Sequence, residues 1–317
     1  MSHLKDIVQL NLNRPKEKRF MKTVPVIVGL GEVLWDIFPN GPRFGGAPAN
    51  FACSAAGLAR GRFEVAMVSA VGIDKLGQLA ITALIEHQVN VATVSQIHYP
   101  TGEVNIQLDE HGHATYEFAA NTAWDRLEWS SELELLAHRT DVVCFGTLGQ
   151  RSDVSLATIR RFVLDTRPTA LRILDINLRP PFVSDAVILD SLRLANILKL
   201  NDEELSVLAK LIGLTGSPAD RLRRLADRFA FQVVALTRGA HGAILIRGDE
   251  ISEHPGVATH VVDTVGAGDA FTAALAVGLL DDRDLETINR TACEVAGFVC
   301  SQSGATPRIP ERFSTRM

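Results

Sequence analysis

The residues best suited to chemistry lie in one stretch, Val261 to Phe271, spelled VVDTVGAGDAF. Gly266 and Gly268 flank Ala267, so the backbone there can turn sharply and come close to a ligand. From Ala270 to Leu280 the chain is apolar, alanine-rich and free of proline, which predicts a helix. A helix starting at this turn points unpaired N–H groups at whatever occupies it, and its macrodipole makes the place attractive to an anion. Asp269 falls in the first turn. Most carboxylates so placed do no more than complement the dipole. Standing one residue after a glycine nest suited to phosphate, Asp269 also reads as a base beside an anion hole.

This stretch resembles the phosphofructokinase-B signature of the ribokinase-like sugar kinases, in which a Gly-Ala-Gly-Asp turn opens a helix. The resemblance implies that Asp269 takes the proton from a sugar hydroxyl. It implies too that Gly266, Ala267 and Gly268 hold the charge of the transferring phosphoryl group.

The elements upstream have to position these groups. Pro25 to Gly31 (PVIVGLG) reads as a buried strand that continues towards Leu34, Trp35, Asp36 and Phe38. A dinucleotide-binding fingerprint is disfavoured, since its third glycine would fall at Leu34 and Pro39, Gly41 and Pro42 break any following helix. Asp36 is a lone carboxylate among apolar and aromatic neighbours, where burial without a partner is costly. It either faces solvent or accepts hydrogen bonds from a polyol. Gly45 and Gly46 then form a turn, with Asn50 entering a helix of small residues. Ribokinase-like enzymes bind sugar hydroxyls with a Gly-Gly-x-x-x-Asn turn after such an aspartate. The resemblance therefore implies substrate contacts at Asp36, Gly45, Gly46 and Asn50, in wording most similar to the fructokinase branch.

Asp175-Ile176-Asn177-Leu178-Arg179 closes a predicted strand at a carboxyl edge, where open α/β sheets place their ligands. Arg179 could make a bidentate contact to phosphate or a sugar acid, or half of a structural salt bridge. The spelling resembles fructokinases and ketodeoxygluconate kinases, which adds Asn177 and Arg179 to the implied substrate contacts. After the strand Ile197 to Leu200, Asn201 and Glu204 have the spacing of a capping box. In the family the same Asn-x-x-Glu steers magnesium and its waters beside the phosphates. Thr237, Gly239 and Gly242 match the family's nucleotide turn, Thr-x-Gly-x-x-Gly, and with Gly268 they imply an ATP site. Many ribokinase-like enzymes also hold potassium with carbonyls flanking the signature, here Asp263, Val265, Ser301 and Gly304.

Composition sets the bounds. A chain of 317 residues suits one large α/β domain or two small ones. A net charge of −5 argues against nucleic acid or an anionic membrane surface as the main partner. No apolar run approaches a membrane span, and no signal peptide is evident. Cys53, Cys144, Cys293 and Cys300 lack metal spacing and read as thiols in a reducing cytoplasm. Residues 1–23 read as a polar tail. Three short segments, Ala92 to Tyr99, Glu103 to Leu108 and His113 to Phe118, have hairpin chemistry and predict a small separate sheet. His111 and His113 read as solvated turn residues rather than a metal pair. No Walker A sequence is present.

The resemblance covers about residues 24 to 310. It implies a three-layer ribokinase-like α/β fold with a central, mostly parallel sheet over 24–317. A small β lid is expected from about 33–44 and 92–121. The expected activity is that of a cytoplasmic, magnesium-dependent kinase moving the γ-phosphoryl group of ATP to a primary hydroxyl of a sugar, foremost fructose. A homodimer through the lid is the assembly it allows. A 2-keto-3-deoxygluconate kinase, a nucleoside kinase with Phe44 or Trp35 as a shelf, and a non-catalytic sugar sensor are the alternatives.

Overall fold

The computed structural model describes residues 24–39, 41–108 and 114–314. The polar residues 1–23 and the pair His111 and His113 lie outside them. In chain order the elements begin with β1 (Val26–Leu30), β2 (Leu34–Phe38), β3 (Gly41–Gly45), α1 (Ala47–Ala59), β4 (Glu64–Gly72) and α2 (Lys75–Glu86). Next come β5 (Val94–Ile97), β6 (Gly102–Leu108), β7 (Ala114–Phe118), α3 (Ser131–Ala137), β8 (Val142–Phe145), α4 (Asp153–Asp165) and β9 (Leu171–Asp175). α5 (Asp185–Leu194), β10 (Ile197–Asn201), α6 (Asp202–Ile212), α7 (Pro218–Phe229), β11 (Val233–Thr237), β12 (Ala243–Arg247) and β13 (Glu250–His254) follow. The chain ends in α8 (Ala267–Leu280), α9 (Leu285–Cys300) and α10 (Glu311–Ser314).

Nine strands form one sheet in the order β13-β12-β11-β10-β9-β8-β1-β4-β5. The run from β11 to β5 is parallel, and β12 and β13 extend it antiparallel. Strands β1 and β8 at its centre are apolar throughout, as expected where helices cover both faces. On one face α1, α2, α8 and α9 bury Phe51, Leu84, Phe271, Leu275 and Ile288. On the other α3 to α7 bury Phe162, Leu192, Leu208 and Leu222 against Val143, Leu174 and Leu198. Burying Phe51 and Phe271 contributes about 1.5–3 kcal/mol each. These three layers leave every parallel strand ending at one edge, where the loops can converge.

A second, four-stranded sheet, β3-β2-β6-β7, stands apart, with β2 parallel to β6 and the other pairs antiparallel. One expected member is missing from it. Val94–Ile97 pairs parallel with β4 at the edge of the large sheet instead. The reason is the connection: α2 carries the chain back over the sheet, and such a crossover sets the next strand parallel to the last. No helix among the described residues is long and apolar enough to cross a membrane. Cys53, Cys144 and Cys293 are buried, and all four cysteines are free.

Candidate active site

The carboxyl ends of β1, β9 and β10 meet the start of α8. Gly266 caps that helix in the left-handed region, at φ 78°, and packs so tightly on Ala305 that a methyl group there would lie 2.4 Å from its carbonyl oxygen. Only glycine meets both conditions. Ala267, Gly268 and Asp269 fill the first turn. Asp269 is half-buried and accepts a hydrogen bond on Oδ2 from Asn50 Nδ2 at 2.8 Å. Burial, helped by the charge of Asp175, raises its carboxyl to about 6, against the lowering effects of Asn50, Lys199 and Arg179.

Asn50 sits in α1 because Gly46 starts that helix. Gly46 has φ 104°, and a methyl group there would fall 2.5 Å from the carbonyl oxygen of Glu32. Its own carbonyl accepts the first helical bond, from Asn50 N at 2.9 Å. The turn is thus pressed onto the backbone after β1, and Gly45 lies against Asp36, whose Oδ2 is 3.0 Å from where a side chain would begin. Asp36 is held at about 6, raised by burial and Asp263 and lowered by Arg179 and Arg43. The amide oxygen of Asn50 is buried with no hydrogen-bond partner among the described residues.

After β9, Asn177 adopts φ 40° and the loop turns outward. Arg179 is exposed and donates to the carbonyl of Leu178 at 3.0 Å. Among the described residues it forms no ion pair, so the salt-bridge reading fails. Its charge instead lowers the carboxyl pKa of Glu32, Asp36 and Asp269 across the opening.

Asn201 ends β10 and caps α6. The capping box is complete: Glu204 N donates to Asn201 Oδ1 at 2.9 Å, and Asn201 N to Glu204 Oε2 at 2.8 Å. Glu204 Oε1 also accepts from Leu178 N at 3.1 Å, tying the β9 loop to α6. The carboxyl is buried and raised, chiefly by burial. Asn201 faces Thr237 across adjacent parallel strands. Beyond Thr237 a short turn over Gly239–His241 closes with Arg238 N on Gly242 O at 2.7 Å. Gly242 has φ 76°, and a methyl group there would collide with the backbone of His254 at 2.0 Å.

The segments holding Asp263 and Val265 meet those holding Ser301 and Gly304. Val262 N and Asp263 N both donate to Cys300 O, and Gly304 N donates to Asp263 Oδ2 at 3.2 Å. The same oxygen pairs with Arg43 Nη1 of β3 at 3.2 Å, so the small sheet is tied to the start of the signature. The structure therefore brings Asp36, Gly45, Gly46, Asn50, Arg179 and Asp269 around one opening. Thr237, Gly239 and Gly242 lie further along the same edge.

Sequence reasoning missed Lys199, Thr272 and Glu32, and left Asp175 without a role. Lys199 Nζ pairs with Asp175 Oδ1 at 3.0 Å, both side chains buried, and Thr272 Oγ1 donates to Asp175 Oδ2 at 2.9 Å. A lysine within ILKLN, an otherwise apolar central strand, was the available signal. Glu32, beside the Gly46 turn, is raised to about 7 by burial and then by Asp269, against its own and Ala47 backbone amides and Arg179. Its Oε2 has no partner among the described residues.

The fold matches that of solved sugar kinases. An uncharacterized sugar kinase from Pyrococcus horikoshii, solved in complex with ATP, superposes with a TM-score of 0.75 at 25% identity, over 88% of this chain and 94% of that one. A Vibrio cholerae fructokinase, solved with fructose, ADP and calcium, shares the fold with a TM-score of 0.77 at 23% identity, over 92% and 98%. By sequence, Escherichia coli fructokinase is 27% identical over 309 residues, 89% of this chain and 95% of the relative. The description pfkB family carbohydrate kinase matches residues 41–312, and the chain belongs to that family. It is a sugar kinase, a phosphotransferase acting on an alcohol group.

Proposed function

We propose that this kinase transfers the γ-phosphoryl group of ATP to a primary hydroxyl of a small sugar, fructose in the first place, with Asp269 as the base. The observation that carries this reading is the 2.8 Å bond from Asn50 to Asp269. It joins the two glycine turns at one carboxylate, so a hydroxyl held by the first turn reaches a base in the second. Among the described residues no side chain hydrogen-bonds Oδ1 of Asp269, which is left for the substrate. With a pKa of about 6 the carboxyl is mostly ionised at neutral pH and still basic enough to accept a proton.

In the proposed step the sugar O–H proton passes to Asp269 while the oxygen attacks the γ-phosphorus. The bond from that phosphorus to the bridging oxygen breaks, and its electron pair leaves with ADP. The N–H groups of the Gly266 to Gly268 turn and the dipole of α8 face the equatorial charge. Asp36 and Asn50 hold hydroxyls, since the unpartnered Asn50 oxygen calls for a donor that a polyol supplies. Thr237, Gly239 and Gly242 line the nucleotide. The small sheet acts as a lid, fastened by Arg43 to Asp263. Closing it would exclude water from the phosphoryl donor.

Magnesium keeps most of its waters and relies on substrate phosphates, so the amide and carboxylate of Asn201 and Glu204 at the start of α6 fit it. Asn201 and Glu204 would hold it through water, and the ion supplies charge neutralisation between the phosphates.

The exposed Arg179, which forms no ion pair among the described residues, favours a second reading, a sugar acid such as 2-keto-3-deoxygluconate, whose carboxylate it could take. A panel of sugars and sugar acids in a coupled ADP-release assay decides between them. Fructose should give the highest kcat/KM; preference for the keto-deoxy acid would select the second reading, and no turnover with any sugar would reject both.

A further inference from the structure

Lys199 stands out as a buried charge that nothing in the foregoing uses. Its side chain lies beneath the glycine turn: a methyl group built on Gly268 would be 3.0 Å from Lys199 Nζ. A side chain at Gly268 would therefore push the ammonium aside. Such a placement is unfavourable by itself, because the N-terminus of a helix repels a cation. Nor does stability explain it, since a buried ion pair is often no better than an apolar replacement. Asp175 occupies one of the three donors of the ammonium, at 3.0 Å, and Thr272 on α8 holds the other oxygen of Asp175. The remaining two donors belong to a cation fixed against the turn.

We propose that Lys199 is part of the phosphoryl-binding site, its ammonium adding a full positive charge to the backbone N–H groups of the Gly266 to Gly268 turn, with Asp175 and Thr272 as its positioning residues. This rests on the reading of that turn as the anion hole. An anion bound there reverses the electrostatic penalty, because the helix N-terminus and the ammonium then face the same negative charge. The 3.0 Å contact to Asp175 Oδ1 keeps the ammonium in place beneath the turn with the site empty. Its target is the phosphoryl group in transit, which ATP carries and ADP lacks.

The test compares two nucleotides by calorimetry with magnesium present: the β,γ-imido analogue of ATP, and ADP. In Lys199→Met the analogue should bind about tenfold or more weakly, the equivalent of one charge-assisted hydrogen bond. ADP should stay within about twofold, and turnover of the best sugar should fall by about a hundredfold or more. That single variant leaves Asp175 buried without its partner. The double variant Lys199→Met/Asp175→Asn removes both charges together and keeps the interior neutral, so it protects the test from misfolding. Parallel weakening of both nucleotides, or wild-type analogue affinity in the double variant, overturns the proposal. The binding arm needs no turnover, so an error in the choice of sugar cannot be mistaken for an error about Lys199.

Discussion

Asn50→Leu keeps the size of the side chain and removes the donor that Asp269 Oδ2 receives at 2.8 Å. That bond stabilises the ionised form, so losing it must raise the carboxyl pKa above its present value of about 6. A hydrogen bond to a charged group contributes about 1.5–3 kcal/mol, and one pKa unit is about 1.4 kcal/mol, which gives a rise of roughly one to two units. The sign follows from the base being active only when ionised, so activity disappears as pH falls through the pKa. In the parent enzyme about nine-tenths of Asp269 is ionised at pH 7; in the variant the share drops to about a half or a tenth. The assay is kcat/KM against pH from 5 to 9, which reports groups of the free enzyme. The acidic limb should move to higher pH, with much of the turnover regained at pH 9. Weaker sugar binding would lower the whole curve without moving the limb. A limb that stays in place, under a curve lowered uniformly, would refute the coupling of Asn50 to Asp269.

Two further outcomes are expected. Glu204→Gln should raise the magnesium concentration needed for half-maximal rate more than it changes the KM for sugar, whereas an unchanged magnesium titration would reduce Glu204 to a cap. Its melting temperature is the control, since losing a capping partner alone costs about 1 kcal/mol. Turnover should be higher in potassium than in sodium or tetramethylammonium at fixed ionic strength, if carbonyls of Asp263, Val265, Ser301 and Gly304 hold a cation beside the turn. Equal rates in all three would remove that site.

Readable in the sequence were the features whose cause is local. The capping box of Asn201 and Glu204, the turn of Gly266 and the strand-to-helix alternation all follow from residue types within a few positions. What escaped depends on topology. Val94–Ile97 has the composition of a hairpin strand, and its partner was decided by α2, which returns it parallel to β4. Lys199 and Asp175 lie 24 residues apart, and only the pairing of β9 with β10 makes them neighbours. Thr272 joins them from 97 residues beyond Asp175, through the packing of α8 on the sheet. Glu32 is buried beside the Gly46 turn, and nothing in its own spelling after β1 marks it. Spacing within one segment cannot disclose a charge cluster assembled from three.

Asp269→Asn tests the chemistry at the junction of the two turns most directly. The substitution keeps the size of the side chain and its place in the first turn of α8, and takes away the proton acceptor. Single-turnover phosphorylation should slow by about 10²–10⁴-fold, with sugar and nucleotide affinities and the melting temperature nearly unchanged. Turnover close to that of the parent enzyme would contradict the assignment of Asp269 as the base.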